Sequence, residues 1–478
     1  MMTQTSPRLA YFIVPIGLLC AAAAVAAMPL AGDDQLALGI LALTPAALIG
    51  AYVVAQGVLG DRHFGAVMAV IYIFVAAAIF RIRDYDDKSI DFQVAAKLGS
   101  FAMIFATTAL FYSFAIGRLR FPRLFYVWLA FFVALLACAL HAVKVPFALT
   151  CALLFLACYL YAVHLCVWLS RRVAVQVMMC AALMLCAGSI FVYYAIPSIG
   201  VMQAWTAEGG FGEIGRMKGL TGSANGIGFI AAFGAAMAFL YFRSLDTFGR
   251  CIALALIPCA LACLVLSNNR SSMLALGAAV WFGFVFRKNA APKLLLTFTL
   301  GMAGITALVF FSDEIFSLLS RSGRADEITS ATGRSAIWSV VIDMWSQRPF
   351  TGYGYTSALA ILPLDPRLFH VAAHAHNMYL ELLFGGGALL LGLFLYALWQ
   401  TLRQAVRLGA VNEAALLVFF MLRGLTEATP FSGMVGYSSI AFTLTLALVI
   451  APLVRSRNAI AGPVSAPRFV PTQRESYP

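Results

Sequence analysis

Charge is what this chain has least of. Asp, Glu, Lys and Arg together make up 11% of its 478 residues, against roughly a quarter in soluble domains, and that excludes an ordinary globular protein. Acidic residues number 20 and basic ones 32, and there are only six histidines. The ten cysteines (positions 20, 138, 151, 158, 166, 180, 186, 251, 259 and 263) all lie within or beside apolar runs. They read as small buried apolar side chains, with neither a disulfide framework nor a thiolate metal site expected. There is no stretch with the composition of a soluble domain, no low-complexity linker and no clear internal repeat.

What fills the chain instead is hydrophobic sequence, 62% of all residues. A bilayer is crossed by an apolar helix of roughly 17–25 residues. Such runs recur at 10–30, 36–58, 64–80, 92–116, 122–141, 146–169, 173–196, 224–242, 250–267, 271–286, 292–311, 377–400, 411–429 and 437–454. The weakest are 64–80, 271–286 and 411–429, so the expected fold is an all-α polytopic membrane protein with 12–14 transmembrane helices. Arg8 ahead of the first run, and Ala26 and Ala27 after its core, raise a signal peptide. The length of the run and the next span close behind it favour a retained helix.

The net charge of +12 is a topology signal here, with no nucleic-acid partner expected. With the N-terminus inside and fourteen alternating spans, the inner segments hold eighteen basic residues against four acidic ones (Asp61, Asp246, Glu413 and Glu475). Short loops rich in Lys and Arg stay on the cytoplasmic side. Segments 197–223 and 312–375 therefore face outward. Four parts follow: 1–209, N-terminal spans; 210–400, a region holding the large outer loop 312–375; 401–454, the last spans; and 455–478, a cytoplasmic tail expected to be disordered. Within the loop, Ile337, Trp338, Val341, Met344 and Trp345 recur at helical spacing and predict a helix over 334–347 with one apolar face. Arg348-Pro349 and the two glycines of the following segment end it.

The residues with chemistry gather in the outer segments. Arg216 and Lys218 lie in a glycine-rich stretch, Arg270 in Ser267-Asn268-Asn269-Arg270-Ser271-Ser272, and Arg334 in Gly333-Arg334-Ser335-Ala336-Ile337-Trp338. A guanidinium matches phosphate oxygens two at a time and keeps its charge, so several arginines suit a diphosphate. A single arginine near a span end more often snorkels to the headgroups. His374, His376 and Asn377 stand where the loop becomes a span, which puts them at a helix N-terminus that favours anions. A neutral histidine there suits a general base acting on a hydroxyl, although a lone interfacial histidine is more often structural. The histidines lack accompanying ligands at metal spacing, so no metal and no cofactor are expected. Arg423 and Glu427, four apart in run 411–429, read as an ion pair within a span, either structural or part of a transport path.

In this set the chain resembles the superfamily of O-antigen ligases and Wzy-type polymerases. The matching pieces are Arg216 in its glycine-containing segment, the serine–asparagine stretch before Arg270, and the Arg334–Trp338 element. They continue with Arg348-Pro349-Phe350-Thr351-Gly352-Tyr353-Gly354, then His374-Ala375-His376-Asn377-Met378-Tyr379-Leu380-Glu381 ahead of Gly385-Gly386-Gly387. The resemblance covers about 210–400. It implies a GT-C-like membrane glycosyltransferase at the periplasmic face of the bacterial inner membrane, taking a glycan from undecaprenyl diphosphate. In the ligase branch the acceptor is a sugar hydroxyl of lipid A–core, and in the polymerase branch it is the next lipid-linked repeat. It further implies that His376 activates the acceptor and that Arg216 and Arg334 hold the diphosphate. Arg270, Asn377, His374 and Lys218 are further substrate-binding candidates. The family's glycine step after the His-Asn element is not matched cleanly by Gly385-Gly386-Gly387, which keeps ligase and polymerase both open. A transporter is the rival of a different class.

Overall fold

The computed structural model describes residues 57–79, 91–115, 119–205, 211–287, 334–368 and 373–460, with a few isolated positions between 292 and 302. The runs expected at 10–30, 36–58 and 292–311 lie wholly or mostly outside them, as do 312–333 and 369–372 of the outer loop.

The other eleven runs are helices. They are α1 (Arg62–Ala77), α2 (Phe92–Ala115), α3 (Arg123–Ala139), α4 (Val145–Trp168), α5 (Arg171–Ala195), α6 (Ala224–Tyr241), α7 (Thr247–Ser267) and α8 (Arg270–Val285), followed by α10 (Met378–Arg407), α11 (Val411–Gly424) and α12 (Tyr437–Ile460). The loop helix α9 (Arg334–Gln347) has the bounds its apolar spacing predicts. Seven of the described helices are long and apolar enough to cross a membrane, and α1, α3 and α8 are shorter apolar helices. The chain is an all-α polytopic membrane protein.

Three features differ from the sequence reading. A small antiparallel hairpin, β1 (Val201–Trp205) and β2 (Phe211–Met217), fills the outer segment before α6, with Met202 opposite Arg216. The helix within run 411–429 stops at Gly424. At 1.5 Å per residue its 14 residues span roughly 21 Å, and Glu427 lies in the loop beyond it. The tail expected from 455 begins as helix, since α12 continues to Ile460.

The helix α6 is apolar on every side and buried along most of its length, as such a helix must be. Within lipid, helices gain little from leaving their surroundings and associate by close packing of small side chains. The alanines and glycines of α6 allow that against α5, α7, α8 and α11. Its Phe229 and Phe233 lie parallel at 5.8 Å and meet Phe419 and Phe420 of α11 and Tyr437 of α12. Next to this layer, Trp128 of α3 is fully buried, and its indole N–H donates to the Thr401 hydroxyl of α10 at 2.8 Å.

One end of the bundle is closed by a polar clamp. Glu413, in the first turn of α11 and fully buried, accepts from the Arg171 guanidinium and the Tyr241 hydroxyl through one carboxylate oxygen. Arg287 bridges Leu240 O at 2.5 Å and Asn412 Oδ1 at 2.9 Å. All of these side chains lie in, or at the span ends bordering, the segments that the charge distribution assigns to the inner side.

Candidate functional site

The opposite end gathers the candidate residues around one carboxylate. The α11–α12 loop brings Glu427 beneath α9 and the His374–Asn377 loop. Its Oε1 accepts from Arg334 Nη2 at 2.8 Å and from Asn225 Nδ2 at 2.9 Å, and its Oε2 stands 3.8 Å from His376 Nδ1. Burial alone would raise the Glu427 carboxyl, but His376, Arg423 and Arg334 outweigh it and hold it down at about 2. It is therefore a fixed anion among cations.

Local sequence explains each placement. Arg334 opens α9 and Arg270 opens α8. A cation at a helix N-terminus opposes the helix dipole, so neither position serves helix stability. Asn377 is the N-cap of α10: its Oδ1 accepts from the N–H groups of Tyr379 and Leu380 at 2.9 and 3.1 Å. Its Nδ2 donates to Leu425 O at 3.0 Å, tying the α10 start to the loop that carries Glu427. Ahead of this cap His376 has φ +48°, a left-handed conformation rare outside glycine and costly unless the surroundings impose it.

Those surroundings are visible at Ala375. Its N–H donates to Glu381 Oε2 at 2.9 Å, and its carbonyl accepts from Trp338 Nε1 at 3.0 Å. One turn after Arg334, α9 thus pins the peptide between the two histidines from one side, while the first turn of α10 pins it from the other. His374 and His376 pack edge to face with centroids 4.0 Å apart. Burial, then the neighbouring His376, push His374 down to about 4, so His374 stays neutral. Nδ1 of His376 is buried with no hydrogen-bond partner among the described residues, although a quarter of the side chain is exposed.

Arg216 and Arg270 lie next door, at the α7–α8 turn. Arg216, buried on β2, donates from Nε to Ser267 O at 2.8 Å and from Nη2 to Asn268 O at 3.3 Å, capping the last carbonyls of α7. Asn269 then donates to Asn225 O at 3.2 Å, which links the turn to Glu427 through Asn225. Lys218 is half-buried in the turn between β2 and α6. Arg334, His374, His376 and Asn377 therefore form one cluster with Glu427, and Arg216 and Arg270 join it through the α7–α8 turn.

Arg423 does not form the helix-face pair its spacing suggested. Its donors reach Ser272 Oγ at 3.0 Å, Asn225 O at 3.2 Å and the Thr429 hydroxyl, and its guanidinium lies over the Phe229 ring. It supplies charge near Glu427 without bonding it. Asn225 was missed by sequence reasoning, because in Ser223-Ala224-Asn225-Gly226 it signals only a helix start.

The Arg348–Gly354 segment and Gly385-Gly386-Gly387 explain each other. At Gly387 α10 kinks, with φ +65° and ψ −166°, and 349–354 packs into the kink. Tyr353 N–H donates to Phe384 O at 2.8 Å, Gly354 N–H to Gly385 O at 2.9 Å, and Ala388 N–H to Pro349 O at 2.8 Å. A Cβ on Gly387 would fall 2.3 Å from the Phe350 carbonyl carbon, so only glycine fits. The three glycines let the backbone of the outer loop dock on α10 and set the start of that helix relative to α9.

Four helix N-termini (those of α6, α8, α9 and α10), four arginines and a strained histidine thus meet at one end of the bundle. Such an array suits an anion beside a group able to take a proton. No curated protein matches the chain. Residues 252–397 match the family model described as O-antigen ligase, a stretch that includes Arg270, Arg334, His374, His376 and Asn377.

Proposed function

We propose that the protein is an O-antigen-ligase-type glycosyltransferase. It moves a glycan from undecaprenyl diphosphate to a sugar hydroxyl of lipid A–core at the periplasmic face of the inner membrane. The observation that carries this reading is the meeting on one carboxylate of Arg334 and His376, which both lie in the stretch that matches that family's model. Arg334 and Arg216 bind the diphosphate. As the bond from the sugar C1 to the diphosphate oxygen breaks, negative charge grows on the leaving group, and guanidinium groups and helix N-termini stabilise it where it develops. His376 takes the proton of the acceptor hydroxyl as its oxygen bonds C1. The lipid diphosphate leaves with the electron pair. In this mechanism fixed arginines fill the place that a divalent cation holds in many diphosphate enzymes.

Reconstitution in liposomes tests it. Lipid-linked glycan plus lipid A–core should give capped core, and the rate should persist in excess EDTA. Lengthened lipid-linked chains from donor alone would make it a Wzy-type polymerase. Loss of activity in EDTA, restored by a divalent cation, would overturn the role given to the arginines.

A further inference from the structure

The proposal above gives His376 a proton to take but leaves open what compensates the charge it acquires. Glu427 is placed for that. It has two oxygens and uses them differently: Oε1 is fixed by Arg334 and Asn225, while Oε2 faces His376 Nδ1 at 3.8 Å. That nitrogen is shut off from solvent and has no hydrogen-bond partner among the described residues. A buried ring N–H aimed at a carboxylate, with the other nitrogen left to meet substrate, is the arrangement in which an acid sets the tautomer of a histidine base and balances its positive form.

We propose that Glu427 is a positioning residue for His376, an inference that rests on the reading of His376 as the base. Its Oε2 accepts the Nδ1 proton, so that the lone pair sits on Nε2. When the acceptor O–H gives its proton to Nε2, the imidazolium is stabilised against the carboxylate. Oε1 meanwhile holds Arg334 beside the leaving group, so one side chain fixes base and phosphate cation at a set spacing. Closing 3.8 Å to a hydrogen bond takes about 1 Å of movement, and catalytic hydrogen bonds are often long before substrate arrives. The carboxyl is held ionised by His376, Arg423 and Arg334, so it is available as an acceptor across the working pH range.

The charged and titratable groups around the Glu427–His376 pair are His374, packed on His376, and Arg334 from α9 and Arg423 from α11, which act on Glu427. Glu427→Gln keeps the size of the side chain and an oxygen for Arg334, removes the negative charge, and leaves the other three groups in place. Purified Glu427→Gln, Glu427→Asp and His376→Ala are compared with wild type in the liposome assay across pH 5–9. Glu427→Gln should lower kcat by on the order of 10²–10³-fold with KM nearly unchanged. Its acid limb in kcat/KM should move to lower pH, because the imidazolium has lost its partner. Glu427→Asp should recover part of kcat and return the limb toward wild type.

A purely structural Glu427 would lower folded yield or raise KM and leave the limb where it is, and that result overturns the inference. If Glu427→Gln does not fold, the limb of Glu427→Asp decides in the same way. An inactive His376→Ala with an unmoved limb in the Glu427 variants would sink this inference and leave the base assignment standing. An active His376→Ala would remove the base assignment, and this inference with it.

Discussion

The two ends of the bundle each bury a glutamate with an arginine, and they are built to opposite ends. Glu413 takes Arg171 and Tyr241 on a single oxygen, between three helices in regular conformation. Among the described residues its other oxygen is buried with no hydrogen-bond partner, and its side-chain hydrogen-bond partners include no histidine. Glu427 lies on a loop, divides its oxygens between an arginine and a histidine, and faces a residue at φ +48°. Around it, buried nitrogens of His374 and His376 have no partner among the described residues. A glutamate tied to helices by an arginine and a tyrosine closes a bundle. One shared between an arginine and an imidazole, with a left-handed residue beside it, is where we propose that the chemistry occurs.

The comparison is broken most directly by matched substitutions at each end. His376→Ala should reduce transfer by at least about 10³-fold while insertion and Tm stay near wild type. Glu413→Gln should do the reverse, lowering Tm and folded yield with kcat/KM per folded molecule close to normal. Activity measured on detergent-purified, monodisperse protein checks both. If Glu413→Gln were inactive at full stability, the Glu413 end could not be called structural.

A smaller effect sharpens the site itself. Arg334→Lys should cost on the order of 10²-fold in kcat/KM, because a point charge cannot span two phosphate oxygens and Glu427 as a guanidinium does. Arg216→Lys should lose activity and some stability together, since Arg216 also caps the end of α7 at the carbonyls of Ser267 and Asn268. Two lysine variants near wild-type rate would remove the diphosphate from this end.

The smallest effect is in pH. An exposed histidine takes up a proton near 6.5, whereas folded His374 does so only near 4. The stability contributed by its neutral form is complete above 6.5 and is lost as pH falls from 6.5 toward 4. Glu427, held down at about 2 from 4.5, adds no change above about 4.5. Hydrogen exchange at 373–377, corrected for intrinsic rates, should therefore quicken between pH 7 and pH 5. His374→Gln should flatten that response. The same pH response in the His374→Gln protein would assign it to another group.

How much of this was legible in the sequence depends on the kind of signal. The helices were, because hydropathy over a whole span is a strong signal, and α9 was, because its apolar residues repeat every three or four positions. The place of Glu427 was legible only in part: Gly424 and the polar stretch from Thr426 to Pro430 signal a helix end, but a run drawn to 429 passes over them. The hairpin carrying Arg216 is short and glycine-rich, so alternation could not announce it. His376 and Arg334 were legible as types at telling positions, but their meeting on Glu427 and Asn225 depends on contacts between segments far apart in the chain. Gly385-Gly386-Gly387 looked like an imperfect pattern and is a docking surface for 349–354, which only the packing reveals.

The central claim is that the arginine and the histidine serve one ligand. A cryo-EM structure of the protein in nanodiscs with undecaprenyl diphosphate tests it most directly. The account predicts the diphosphate at the Glu427 end, with a phosphate oxygen within hydrogen-bond reach of the Arg334 guanidinium and His376 Nε2 facing the same cavity. A diphosphate bound beside Glu413, or touching Arg334 while His376 opens onto a separate space, would contradict it.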